Sequence, residues 1–269
     1  MSESDPSTAA GSTTDAGRDI EVPRVAIIGG GVAGSTAGTF CARAGFDTIV
    51  VDGGESILRR NAHLENFPGF PAGVNSRTLL ELLFSQAGRN GCQFEDGLVT
   101  NLVTTGDDFR LEIDALDGES ELRADYVIAT SWPDASYLPD AVSVTERGSK
   151  TYVDVDDFGR TTVDGLYAAG RIAGKPHQAI VAAGHGAEVA LALVDDSEVP
   201  FYHDWVAPAG YFTERGRDVP PGVEEIEESE RKRRERDSMA TIRDAFEESH
   251  PGEPTMHPSV VESRKNSGK

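Results

Sequence analysis

The sequence predicts an α/β domain: a parallel sheet with helices on both faces, a small antiparallel β-meander, and a helical C-terminal tail. Three observations carry this. A glycine-rich turn joins an apolar run to an Ala- and Gly-rich helical stretch near residue 30, further buried runs end in similar turns, and residues 98–122 alternate with turn signals between them.

The first element is Val25-Ala26-Ile27-Ile28, a buried strand, followed by Gly29-Gly30-Gly31-Val32-Ala33-Gly34. Read as Gly29-x-Gly31-x-x-Gly34, the first glycine permits the turn, the second lets the backbone approach a pyrophosphate, and the third permits close helix-on-strand packing. The helix then offers free N–H groups, from Val32 and Ala33 onward, and a positive dipole end to an anion. It runs to about Ala44, with Gly45 as its C-terminal glycine, and Thr48-Ile49-Val50-Val51 forms a second strand ending in Asp52. Asp52 stands where an acidic side chain accepts hydrogen bonds from an adenosine ribose. The alternative is a glycine-tolerant βαβ unit with no ligand.

Residues 25–42 carry no formal charge and approach the length of a membrane span, but five glycines and several hydroxyls argue against one. Residues 1–21 lack the basic and apolar regions of a secretory signal and read as a disordered leader, so a cytoplasmic location is expected. Among 269 residues, 46 acidic and 25 basic side chains give a net charge of −21, which disfavours nucleic acid and anionic membranes as partners. The basic residues are 20 Arg and only 5 Lys, a composition resembling that of proteins from salt-loving organisms. Cys41 and Cys92 are too far apart for a CxxC pair or a zinc site; Cys41 reads as core, and Cys92, between a helix and a strand, as a candidate for exposure.

Gly53 to Gly73 reads as a long functional loop containing His63-Leu64-Glu65-Asn66-Phe67-Pro68-Gly69-Phe70-Pro71. Asn75 or Ser76 caps a helix reaching Gln86 to Asn90. Leu98 to Leu122, with turns at Gly106-Asp107-Asp108 and Asp117-Gly118, gives a three-stranded meander, and Tyr126-Val127-Ile128-Ala129-Thr130 returns to a buried strand. Residues 131–150 read as a connection without an element of its own. After it come a short strand at Tyr152-Val153-Asp154-Val155, a strand at Leu166-Tyr167-Ala168-Ala169-Gly170, and a helix of small residues from about His177 to Val194. These boundaries place a dinucleotide-binding domain at 22–198 and an accessory region at 199–269: an aromatic segment, a charged helix from about Val223 to Glu248, and a disordered end. Within that helix, Glu227 with Arg231 and Glu230 with Arg234 have i,i+4 spacing, and flanking glutamates neutralise Arg231-Lys232-Arg233-Arg234.

Four pieces occur in one order: Gly29-x-Gly31-x-x-Gly34, Glu65-Asn66-Phe67-Pro68-Gly69-Phe70-Pro71, Val127-Ile128-Ala129-Thr130, and Thr161-Thr162-Val163-Asp164-Gly165-Leu166-Tyr167-Ala168-Ala169-Gly170 followed by Gln178-Ala179-Ile180. Together they resemble the flavin-binding half of thioredoxin reductase-like, class II pyridine nucleotide-disulfide oxidoreductases, from about Arg24 to Val194. The resemblance implies a Rossmann-like FAD/NAD(P)-binding fold. It places Asn66 near the isoalloxazine, Ala129 and Thr130 along the adenosine-facing path, and the Gln178 and Ala179 amides at the flavin pyrimidine edge, where a helix N-terminus stabilises negative charge. His177 and His185 fall near that edge, as proton donors or as structural residues.

The departures are equally specific. The family's inserted nicotinamide domain and its CxxC are missing, since only about 20 residues follow Thr130 before the next strand, against the 100 or more of a further domain. Gly170-Arg171 replaces the family's Gly-Asp; arginine has donors but no acceptor, so Arg171 is expected at a phosphate instead of a ribityl hydroxyl. Ser131 stands where a glycine completes the motif. The expected protein is an FAD flavoprotein, with NAD(P) as the alternative cofactor, which receives electrons from a redox partner protein or a diffusing pyridine nucleotide and is not a self-sufficient disulfide reductase. A non-catalytic FAD- or NAD-binding module is the competing class. Phe201, Tyr202, Trp205, Tyr211 and Phe212 are expected to fold back near the cofactor or across a homodimer interface, or else to clasp the domain away from any ligand.

Overall fold

A computed structural model describes residues 22–266 except Glu55, Asp107 and Tyr202; the leader expected at 1–21 lies outside the described residues. Five strands form one parallel sheet: β1 (Arg24–Ile28), β2 (Asp47–Asp52), β3 (Gln93–Asp96), β7 (Tyr126–Ala129) and β10 (Leu166–Ala168), in the order β10-β7-β1-β2-β3. From β1 the chain builds outward one way through β2 and β3 and then, after the meander, the other way through β7 and β10. The sheet order therefore reverses between β1 and β7, where the carboxyl ends of parallel strands open a crevice.

Strand alternation assigns the two faces. Val25 and Ile27 of β1, with Val50 and Ile128, pack under helices α1 (Val32–Ala44) and α3 (Ala179–Asp196) through Ala37, Cys41, Val189 and Leu193. Ala26 and Ile28 point the other way and meet Leu102, Phe109, Leu111 and Ile113 of the meander β4 (Leu98–Thr105), β5 (Asp108–Ala115) and β6 (Gly118–Ala124). The helices expected on the second face are thus replaced by the meander, whose alternating apolar residues already close it. Helix α2 (Ser76–Arg89), capped by Asn75, which accepts the Arg77 N–H at 3.0 Å, joins α1 beside the sheet.

Several expectations change. Residues 131–150 are not featureless, because β8 (Val144–Arg147) pairs with β9 (Lys150–Val153) across a turn at Gly148; four-residue polar strands leave little apolar pattern. The loop at 53–73 contains a 3₁₀ turn at Ile57–Arg60 and a bridge in which Leu64 and Val74 exchange backbone hydrogen bonds of 2.9 Å. Cys92 is buried, not exposed, against Gly38.

In the accessory region β11 (Trp205–Pro208) lies parallel to β12 (Val223–Ile226), so the charged helix α4 begins later than expected, at Glu228–Ala245. Arg234 pairs with Glu230 as the spacing suggests, but Arg231 pairs with Glu235. Helix α5 (Pro258–Asn266) stands where no order was expected. The Glu225 carboxylate gathers the intervening loop, accepting from the N–H groups of Gly210, Phe212 and Thr213 and from the Thr213 hydroxyl. Among the described residues no helix is long and apolar enough to cross a membrane.

Candidate cofactor site

The crevice between β1 and β7 opens into a cavity of about 740 Å³, within the range of sites for cofactor-sized ligands. Gly29 turns the chain out of β1 at φ 105°, its N–H donating to the Val51 carbonyl at 2.8 Å. Gly34 packs the start of α1 onto that turn so closely that a Cβ there would lie 1.9 Å from the Gly29 oxygen. At Gly31 the opposite holds: a Cβ would meet only the Ser56 hydroxyl, at 3.6 Å, and otherwise enter the cavity. Helix α1 has no side-chain cap and no acidic residue in its first turn, so its free N–H groups and dipole face the opening.

The wall beyond β2 is Asp52, whose Oδ1 accepts from the N–H groups of Gly30 and Gly54, both at 3.2 Å. A second uncapped helix end faces the cavity from the other side, where α3 starts after Gln178 with no acidic residue in its first turn. The Asn66 side-chain N–H donates to the Gln178 Oε1 at 2.7 Å and fixes that corner. The buried side-chain nitrogens of Trp132 (Nε1) and Arg171 (Nε) lie at the same cavity without a hydrogen-bond partner. Two helix N-termini, open space at Gly31 and unpartnered donors form a donor set suited to a long anionic ligand, and the residues fit FAD.

Of the residues the sequence singles out, Gly29, Gly31, Val32, Ala33, Asp52, Asn66, Thr130, Arg171, His177, Gln178 and Ala179 all line the cavity. Gly34, Ala129 and Gly170 stand behind it: Ala129 is buried in β7, and Gly170 donates its N–H to His185 Nδ1 at 2.9 Å. His185 therefore serves the turn and does not line the cavity as an edge residue; burial pushes its pKa down to about 4. His177 does line the cavity, with a pKa lowered first by desolvation and then by Arg171, Lys150 and Arg60.

Arg171 is anchored in the cavity wall by its neighbours. Its Nη1 donates to the Lys175 carbonyl at 3.0 Å and its Nη2 to the Tyr152 hydroxyl at 3.1 Å, with the guanidinium 5.3 Å from the ring centres of both Trp132 and Tyr152. Ser131 donates its hydroxyl to Tyr137 at 2.8 Å. Leu58, Gly97, Trp132 and Tyr137 also line the cavity; sequence reasoning missed them because no local motif marks them as site residues.

Among the described residues, the aromatic segment does not cover the cavity; Tyr202 lies outside the described residues. Phe201 joins the core under α1 and α3, Trp205 stacks edge-on against Tyr211 at 4.6 Å, and Arg43 grips Asp204 through two hydrogen bonds of 2.6 Å. None of these residues lines the cavity. A later strap approaches it instead: Phe246 meets Phe70 at 6.1 Å, His250 bonds Glu81 at 2.8 Å, and the Thr255 N–H donates to the Arg59 carbonyl at 3.1 Å. These contacts bind the strap to α2 and to the loop that carries Asn66.

Residues 88–186 match the family model of pyridine nucleotide-disulphide oxidoreductases, and residues 24–62 match an FAD binding domain. The chain is similar to the thioredoxin reductase of Schizosaccharomyces pombe, 31% identical over 122 residues, covering 43% of this chain and 38% of that protein. It is also similar to that of Streptomyces clavuligerus, 36% identical over 90 residues, 32% of this chain and 28% of that one. The matched stretches thus span well under half of these relatives' length. Among solved structures, a thioredoxin reductase from Gloeobacter violaceus superposes with a TM-score of 0.59 at 16% identity, covering 65% of this chain and 95% of that one. One from T. acidophilum gives 0.58 at 19%, covering 64% and 97%. At these identities the structures establish the fold.

Proposed function

We propose, taking as premise that the chain carries a thioredoxin reductase-like FAD-binding domain, that it works as a flavoprotein oxidoreductase whose electrons come from a redox partner protein or a diffusing pyridine nucleotide. The observation that carries this reading is the pair of uncapped helix N-termini, α1 and α3, facing one cavity at the point where the sheet order reverses. Bound FAD supplies the redox chemistry.

The protein's own groups bind and orient. The α1 N-terminus at Gly31, Val32 and Ala33 holds the pyrophosphate, and Asp52, with Oδ1 committed to the turn, uses Oδ2 for the adenosine ribose. The Ala179 end of α3, locked by the Asn66–Gln178 hydrogen bond, presents N–H groups to the pyrimidine edge, where its dipole favours added negative charge. Arg171 offers no acceptor to a ribityl hydroxyl and is anchored elsewhere. The thiols are not arranged for disulfide exchange, since both cysteines are buried and burial pushes the Cys92 thiol up to about 12.

Titration of the purified chain with FAD, followed by flavin absorbance and fluorescence, tests the reading with the Gly31→Val variant beside it. Because Gly31 faces open space, the variant should fold normally while its side chain occupies the phosphate position. Stoichiometric FAD uptake that is lost in the variant is the expected result. No uptake by the parent, or equal affinity in a folded variant, overturns the placement.

A further inference from the structure

The region between β7 and β10 carries a cluster of cations of which Arg171 lines the cavity and Arg147 and Lys150 stand outside its lining. Arg147 and Lys150 are opposite one another in the β8–β9 hairpin, and Thr145 is opposite Tyr152. Strand alternation puts Arg147, Lys150 and Tyr152 on one face and sends Glu146 to the other. On that face Lys150 Nζ sits 4.7 Å from the centre of the Trp132 ring, and the Arg147 guanidinium 5.2 Å from the centre of Tyr152. Arg171 lies against both rings, and its Nη1 bonds the backbone of Lys175.

What these cations rest on decides what they can do. Elsewhere arginines such as Arg43, Arg160 and Arg234 are held by carboxylates that cancel their charge. Among the described residues, Arg147, Lys150 and Arg171 form no ion pair; they are held by aromatic rings and, for Arg171, by neutral oxygens. An aromatic face orients a cation without neutralising it, so full positive charge is held in place. Arg147 and Lys150 are exposed, whereas Trp132 and Arg171 belong to the cavity wall. Of the carboxylates near these cations, Asp134 accepts the Ser136 N–H at 2.9 Å and Asp154 accepts the Thr145 hydroxyl at 2.7 Å, and among the described residues neither is in an ion pair with them. In a chain of net charge −21 this is a localised positive site at the cavity mouth.

We infer that Arg147, Lys150 and Arg171 form a docking subsite for the phosphate groups of a diffusing pyridine dinucleotide, beside the proposed flavin cavity. The inference rests on the flavoprotein reading above and names the donor that reading leaves open. The α1 N-terminus provides for the flavin's own pyrophosphate, and the Arg171 guanidinium is held by Lys175 and Tyr152 beside Arg147 and Lys150, so the cluster is available to a second nucleotide.

The test is calorimetric titration of NADP+ into the FAD-saturated full chain and into the Arg147→Gln/Lys150→Gln variant. A variant lacking two charges elsewhere, Arg217→Gln/Arg236→Gln, is the control. Saturable binding is expected, weakened about tenfold by R147Q/K150Q, as for loss of charge-assisted hydrogen bonds, unchanged in the control, and with a smaller gap at about 1 M salt than at about 0.1 M. FAD affinity should be equal in all three proteins. Absent NADP+ binding, or equal binding to R147Q/K150Q, overturns the subsite. So does loss of FAD affinity in R147Q/K150Q, which would assign the cations to the flavin phosphates. If the parent chain takes up no FAD, the flavoprotein reading fails by itself. The same titration on FAD-free protein then decides the cluster, weakening by R147Q/K150Q supporting it and equal binding refuting it.

Discussion

Gly186→Ala would place a methyl group 2.3 Å from the Ala33 carbonyl oxygen and 3.1 Å from the Ala33 Cα, where α3 crosses α1. Relief to ordinary contact requires about 1 Å of separation. The helices cannot part freely, since Val189 and Leu193 of α3 are fully buried with Ala37 and Cys41 of α1. Overpacking of this kind costs about 1–3 kcal/mol, and a backbone partner puts the cost near the upper end. Against it stands a gain of about 1 kcal/mol from replacing a mid-helix glycine by alanine. Gly184, two residues earlier on the same helix, has nothing within 4 Å of its added Cβ, so Gly184→Ala collects that gain alone. The gain cancels in the comparison, which isolates the packing cost: Gly184→Ala should be the more stable of the two by about 2–3 kcal/mol in urea unfolding. Because the α1–α3 spacing also sets the two helix ends at the cavity, only Gly186→Ala should weaken FAD binding. Equal unfolding midpoints for the two variants would refute the close approach and the construction of the site built on it.

Asp52→Ala removes the acceptor for the Gly30 and Gly54 N–H groups; it should lower stability by about 1 kcal/mol and weaken FAD roughly tenfold, as read by thermal melting and a fluorescence titration, and an unchanged FAD affinity would remove Asp52 from the ribose site. Burial lowers the folded pKa of His185 to about 4 from 6.5, so between those values the unfolded chain holds the extra proton and stability rises with pH. His185→Asn, which keeps an acceptor for the Gly170 N–H, should flatten that slope in urea unfolding measured from about pH 4 to 7; an unaltered slope would show that another group titrates. Glu225→Gln should loosen the loop at 210–213 and speed trypsin cleavage at Arg215 and Arg217 without altering FAD affinity, because that loop does not line the cavity.

The strand–turn–helix at Val25 to Ala44 was legible because its signals are local: glycines at fixed offsets, an apolar run and a C-terminal glycine. The meander was legible through its turns and the alternation of Phe109, Leu111 and Ile113, all buried. Strand β3 escaped notice because its four residues sit at the sheet edge and none is fully buried. Of the β8–β9 hairpin, the second strand was expected at Tyr152–Val155 and stands at Lys150–Val153, whereas β8 escaped because its exposed polar residues follow no periodic core. Cys92 depends on the distant Gly38, and the strap on contacts such as Thr255 with Arg59, separations over which a local pattern carries no information. For the same reason the glycine turns that line the cavity were legible as motifs, whereas side chains of its wall such as Leu58, Trp132 and Tyr137 were not.

The strap from Phe246 to Thr255 closes on the segment that carries Asn66, yet Thr255 does not itself line the cavity. A ligand that fixes this segment from within and a strap that fixes it from outside favour the same arrangement. Coupling of that kind is reciprocal, so each tightens the hold of the other by an equal factor. Hydrogen exchange at the Thr255 amide then becomes a gauge of cavity occupancy, read from a peptide group on the outer side of the wall.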